Sequence, residues 1–303
     1  MSSEPIILHH YPQSPVAEKI RVALGLKGLS WKSVQIPRLP PKPNLMPLTG
    51  GYRLTPVMQI GADIYCDTKC ILLELERRFP DPALFLDMAV EDDLWLDDVL
   101  FKDVVTVALV EMSPTMPAEF LADRGPLYFG QGFSLEVLQA NYKDSLETVR
   151  AQFAKFDACL QGHDFLQGQD PRLADVLAYY LVWFLRDRMA EGDQFFCQFE
   201  NLDRWEQRIK IRGHGTSETM RDLEALDVAK KAVPKTLEKV SSLDPLGLKV
   251  GDDITIEPIN GGPQVAGTLH SLSTLRLSVL REDERVGPVC VHFPRTGYVV
   301  KRA

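Results

Sequence analysis

No stretch of this sequence is apolar for longer than ten residues; the longest run is Val176 to Leu185. A helix needs about 20 apolar residues to cross a bilayer, so no membrane-spanning helix is expected. The first residues lack a basic segment followed by a long apolar one, so no secretory signal is expected either. Cysteine is scarce: the five, Cys66, Cys70, Cys159, Cys197 and Cys290, are scattered and odd in number. They do not read as a disulfide framework, and they point to a reducing compartment, the cytoplasm. Cys66 and Cys70 lack C-x-x-C spacing and read as packing residues. A strongly basic segment is also missing. Residues 1–87 hold 10 basic and 8 acidic groups, residues 88–240 hold 17 and 27, and residues 241–303 hold 7 and 7. Nucleic acid is therefore not an expected partner. The one net-positive segment is the first, which suits a small anionic ligand.

What is present is ordinary in bulk. The 303 residues, 45% apolar and 25% charged, fit a soluble globular chain of two or three domains. Ile6 to Leu8 reads as a buried strand. Pro15 opens a helix in which Val16, Ile20 and Leu24 recur one turn apart, and Gly28 stops it. Trp31 to Ile36 alternates like a strand. Five prolines between Pro37 and Pro47 then exclude a long helix. Pro56 to Ile60 and Ile64 to Cys66 read as a hairpin through Gly61-Ala62-Asp63, and Asp67 to Arg78 as a helix. This β-α-β-β-β-α order predicts a thioredoxin-like α/β domain over residues 1–87.

From Ala89 the pattern is helical. Helices are predicted over 89–112, 134–161, 173–189, 201–211 and 216–232, an all-α domain spanning residues 88–240. Leu173 to Met189 is apolar nearly all round and should be the buried central helix. After Pro234 five short strands are predicted, at 254–256, 265–269, 275–280, 289–293 and 298–300. They suggest a small β-barrel over residues 241–303, SH3-like or OB-like, folded as a separate or docked unit.

The most pointed local feature is "SPVAEKIR", Ser14 to Arg21. Serine followed by proline is a good N-cap and first-turn pair. A helix N-terminus carries unpaired N–H groups and about half a positive charge, so an anion beside that hydroxyl is stabilised by both. A thiol of pKa about 8.5 can fall to roughly 3.5–7.5 at such a terminus, and the thiolate is the nucleophile. The plainer alternative is that Ser14 only caps the helix.

Tyr11 to Gly28, then Thr55-Pro56-Val57, then Asp67-Thr68, then a helical domain, together resemble a glutathione S-transferase over roughly residues 5–232. Ser-Pro-x-Ala-Glu-x-x-Arg resembles the omega-type motif, in which a cysteine stands at the place of Ser14, and its spacing also fits zeta-type motifs, which have serine there. The resemblance implies that Ser14 meets the sulfur of glutathione, with Tyr11 as the alternative. It implies a cis-proline turn at Pro56 that presents the backbone of Val57 to the tripeptide. It implies that Asp67 takes the γ-glutamyl ammonium and Thr68 the γ-glutamyl carboxylate. Lys42 and Arg53 are the candidates for the glycine carboxylate, although "LTGGYRLTPV" departs from the usual family sequence there.

The resemblance further implies glutathione as co-substrate, a small electrophile as second substrate, and a homodimer. Rival functions are a glutathione-dependent reductase or lyase, or a non-catalytic protein that binds partners through its β-domain. No metal site is expected: Glu91-Asp92-Asp93 and Asp97-Asp98 read as a solvated face. His9-His10 reads as structural. In "DPRLADVLAYY", Arg172 stands where the family's helix cap has serine or threonine. It cannot accept a hydrogen bond, so Asp170 or Asp175 must serve.

Overall fold

The structure is a computed structural model that describes residues 4–85, 97–235, 240, 244–259 and 261–303, the side chains of 97–99 apart. These fall into two compact units. One comprises residues 1–20, 29–78 and 216–303, the other residues 21–28 and 79–215. The sequence-based boundaries at 87/88 and 240/241 fall in or beside stretches outside the described residues.

The first unit is built on strands β1 (Ile6–His10), β2 (Ser30–Gln35), β3 (Val57–Ile60) and β4 (Asp63–Cys66), with the start of helix α1 (Pro15–Leu26, whose residues from 21 on belong to the other unit), α2 (Met46–Thr49) and α3 (Thr68–Arg78). This is the expected thioredoxin-like arrangement: β1 and β2 run parallel around α1, and β3 and β4 form an antiparallel hairpin beside β1. The proline-rich segment forms only the single-turn α2.

Residues 216–232 differ from expectation. They do not form one helix: Thr216–Thr219 is strand β5, parallel to β2, and helix α10 (the tenth among the described residues) spans Asp222–Lys231. All four β5 residues are exposed, so no alternation of apolar and polar residues marked the strand. Helix α10 is capped by Glu224, whose carboxylate accepts from the Arg221 amide at 3.1 Å.

The C-terminal strands form an extra β-domain: β6 (Asp253–Pro258), β7 (Val265–Leu272), β8 (Arg276–Asp283), β9 (Gly287–Pro294) and β10 (Tyr298–Arg302). Their order is β10-β6-β7-β8-β9, the last strand beside the first, which is the strand order of the SH3-like alternative. This domain continues the N-terminal sheet. Strand β9 pairs in parallel with β4, Asp63 opposite Cys290 and Tyr65 opposite His292, giving one ten-stranded sheet. On one face a single apolar cluster holds Ile7, Val57, Ile64 and Cys66 with Ile254, Val279, Val291 and Phe293, under Ala225 and Leu226 of α10.

The other face of the β4–β9 seam is polar. Glu74 of α3, fully buried, accepts from Arg77 Nη2 at 2.7 Å, Arg78 Nε at 2.5 Å, Arg276 Nη1 at 2.6 Å and Tyr65 Oη at 3.0 Å. The His292 ring stacks on Tyr65 with centroids 4.6 Å apart, and its Nε2 lies 2.9 Å from Asp63 Oδ1.

The second unit holds α4 (Asp97–Met112), α5 (Ala118–Phe129), α6 (Leu135–Cys159), α7 (Leu173–Arg186), α8 (Gly192–Phe196) and α9 (Glu200–Arg212). As expected, α7 is buried along most of its length. Its cap is Asp175. One carboxylate oxygen accepts from Arg172 N at 2.8 Å, the other from Leu166 N at 2.9 Å and Trp205 Nε1 at 2.7 Å. Arg172 instead donates to Ala83 O at 2.7 Å. The last turn of α1 lies against residue 213: a Cβ on Gly25 would meet the Gly213 carbonyl oxygen at 1.9 Å, so only glycine fits there.

Candidate functional site

Three segments singled out from the sequence meet at one end of the sheet. Antiparallel pairing sets Val57, the first residue of β3, opposite His9 near the end of β1. The same residue stands opposite Cys66, the last of β4. The chain therefore leaves β1 towards Ser14, enters β3 after Pro56, and leaves β4 towards Asp67 at the same end of the sheet. The Thr55–Pro56 peptide is cis, as the resemblance implies.

Ser14 stands immediately before α1 and is 2% exposed. Its Oγ accepts from Ala17 N at 3.1 Å, which is the N-cap bond. That bond uses one lone pair of the hydroxyl and leaves its O–H as a donor. Cap and thiol donor are thus compatible duties for one side chain. Tyr11, the alternative, is buried in the apolar cluster, with the Arg38 guanidinium 5.9 Å and Lys42 Nζ 6.0 Å from its ring centroid.

Asp67 is the N-cap of α3: its Oδ1 accepts from Lys69 N at 2.9 Å. Among the described residues it is the one non-glycine at positive φ, 75°. Aspartate tolerates this region better than most residues, yet holding it there costs about 1–3 kcal/mol, and such residues cluster at functional sites. The second oxygen, Oδ2, accepts from Tyr298 Oη at 3.1 Å. Tyr298 comes from β10 of the extra domain, and nothing in its local sequence pointed to the site. Burial pushes the Asp67 carboxyl up, while the Lys69 amide, the Tyr298 hydroxyl and the charges of Lys19 and Lys69 pull it back. Thr68 follows as the buried first residue of α3.

Lys42 is buried and spends two of its N–H donors inside the loop, on Arg53 O and on Thr55 Oγ1, both at 2.9 Å. It braces the turn that precedes Pro56. Arg53 is half-buried on the same loop.

The GST N-terminal domain profile matches residues 8–83, and the GST C-terminal domain profile matches residues 103–212. A GST-like protein from Pseudomonas syringae is 34% identical over the whole of both chains, with a TM-score of 0.78. The chain belongs to the glutathione S-transferase family. Two glutathione transferases share the fold at lower identity. That of Phanerochaete chrysosporium is 18% identical, TM-score 0.52, covering 70% of this chain and 98% of its own. That of Methylobacterium radiotolerans, solved with glutathione sulfonate, is 21% identical, TM-score 0.50, covering 71% and 97%. No curated protein is significantly similar to the sequence. The Pseudomonas protein is matched along its full length, so the glutathione S-transferase portion and the extra β-domain are matched together.

Other groups of this family member have plainer duties. His9 Nε2 lies 2.9 Å from Gln59 Oε1, and His10 Nε2 lies 2.8 Å from Ser33 Oγ; both rings are buried. Burial lowers the His9 pKa to about 4, so the ring is neutral. Asp63, Cys290 and His292 are buried with their ligand atoms within 4.8 Å of one another. Asp63 pairs with His292 and accepts from Lys235 N, Cys290 bonds to Ser278, and burial pushes the Cys290 thiol up to about 12. The trio lies on the β4–β9 seam, and His292 Nδ1 is buried there without a hydrogen-bond partner. Glu91, Asp92 and Asp93 lie outside the described residues, as do the side chains of Asp97 and Asp98. No described helix is long and apolar enough to cross a membrane.

Proposed function

We propose that the protein is a glutathione transferase that activates the glutathione thiol for attack on a small electrophile. Ser14 donates its O–H to the sulfur, and the N-terminus of α1 stabilises the thiolate charge. The sulfur then bonds to the electrophilic carbon, displacing a leaving group or, in an addition, sending the electron pair to an atom that takes up a proton. The Val57 backbone, Asp67 and Thr68 hold the tripeptide, Pro56 sets the turn, and Arg53 and Lys42 supply positive charge towards its glycine end. The observation that carries this reading is the meeting of Ser14, Val57 and Asp67 at one end of the sheet, with one Ser14 lone pair already spent on the helix cap. The family supports a homodimer, and five free cysteines suit the reducing cytoplasm.

Conjugation is favoured over disulfide reduction by the state of the nearby thiols. Burial pushes Cys66 and Cys70 well up, so neither is a thiolate at neutral pH. Ser14→Ala is expected to lose about 1.5–3 kcal/mol at the thiolate, roughly 10- to 150-fold in rate. The checks are thiolate absorbance against pH and turnover with a panel of electrophiles. An unchanged thiolate pKa reduces Ser14 to a helix cap and makes Tyr11 the next residue to test. Asp67→Ala should weaken glutathione binding by about 1.5–3 kcal/mol in calorimetry. Equal affinity would remove Asp67 from the site. A protein that binds glutathione and turns over no electrophile would be a binding module instead.

A further inference from the structure

We infer that Tyr298 of the extra β-domain is a positioning residue for the γ-glutamyl ammonium, acting through Asp67. The inference rests on the glutathione reading above and extends it to a domain that the family's minimal fold does not include. Tyr298 is 9% exposed, and its ring is wedged against Phe293, centroids 5.2 Å apart. Phe293 in turn meets Tyr52 at 5.7 Å. The ring is therefore fixed by packing, and its hydroxyl ends 3.1 Å from Asp67 Oδ2. The other oxygen is fixed by the Lys69 amide. A carboxylate can accept about four hydrogen bonds, so two donors from the chain aim it and leave room for an ammonium.

The charged and titratable groups around Asp67 come from several elements. Lys19 lies on α1, Lys69 and Cys70 on α3, Cys66 on β4, Tyr52 before β3, and Tyr298 on β10. Burial works against ionised Asp67, and the Tyr298 hydroxyl is one of the donors that hold it ionised. An ammonium needs the ionised form, so affinity falls as pH drops through the Asp67 pKa. Without the hydroxyl that pKa rises, and the fall begins at higher pH.

The test is calorimetry on the full chain, wild type and Tyr298→Phe, with glutathione and with N-acetylglutathione, which lacks the ammonium. Tyr298→Phe keeps the ring, and an unchanged melting temperature checks the packing. The variant should bind glutathione about 2- to 10-fold more weakly, the worth of one hydrogen bond. Its loss of affinity towards acid should start at higher pH, and N-acetylglutathione should bind both proteins alike. In an Asp67→Asn background the same change should have no further effect. Equal weakening for both ligands, or an unmoved pH profile, overturns the inference and leaves the glutathione reading standing. Tighter binding by the variant would make Tyr298 an occupant of the subsite, which also overturns it. A wild type that binds neither ligand overturns both readings.

Discussion

A chain ended after Lys235 is expected not to fold cooperatively. The apparent modularity of the sequence, an α/β domain, a helical domain and a β-domain, suggests that the last can be removed. The sheet argues otherwise. Without β9, strand β4 becomes a bare edge, which invites pairing with other chains. Without Val291 and Phe293, the cluster that includes Val57, Ile64 and Cys66 loses one of its walls. Burying one such side chain is worth about 1.5–3 kcal/mol, and exposing three of them costs about 5–9 kcal/mol. A whole domain is stable by only about 5–15 kcal/mol. Circular dichroism on heating, with soluble yield, is the measurement. A truncated chain that melts cooperatively within a few degrees of the full one would show that the seam is a mere docking contact.

The second large effect is expected at Glu74. This fully buried carboxylate is met by three guanidinium groups, of Arg77, Arg78 and Arg276. Burial alone would raise its pKa, but hydrogen bonds from the three arginines outweigh burial and hold the carboxyl far below the usual carboxylate range. Removing one partner of a buried pair costs about 3–5 kcal/mol, because the partner charge is left uncompensated. Glu74→Gln keeps the shape and leaves three cations facing one another, so chemical denaturation should show a loss in that range. The pH dependence has a definite sign. A depressed carboxyl contributes stability above its unfolded value of about 4.3 and loses it as pH falls towards its folded value. The wild type should weaken steadily below pH about 4.3, and Glu74→Gln should lack that part of the decline. A loss under about 1 kcal/mol, the range of exposed ion pairs, would mean that water reaches the cluster.

The sequence made some of these features legible and hid others for physical reasons. Ser14, Pro56 and Asp67 could be found because each sits at a strand end or helix start, where local chemistry leaves a signature. The C-terminal strands were readable from their short β-branched runs. Strand β5 was not, since Thr216 to Thr219 are exposed on every face. Helix α5 went unmarked because Gly125 and Pro126 interrupt it. The parallel pairing of β9 with β4 has no local signal, and neither has the contact of Tyr298 with Asp67, 231 residues apart. Helix capping is a partial case. That Arg172 cannot cap α7 followed from its chemistry, which left Asp170 and Asp175. Choosing Asp175 needed the positions of Leu166 and Trp205.

The β4–β9 seam also orders events in time. His292 and Asp63, which bond across it, are 229 residues apart. A ribosome adds about 5–20 residues per second, so the edge of β4 emerges at least ten seconds before the strand that covers it. Contacts of such separation are also slow to form once the chain is free. Through that interval the nascent thioredoxin-like segment carries an open edge beside an apolar face, the condition in which chaperones bind and neighbouring chains pair.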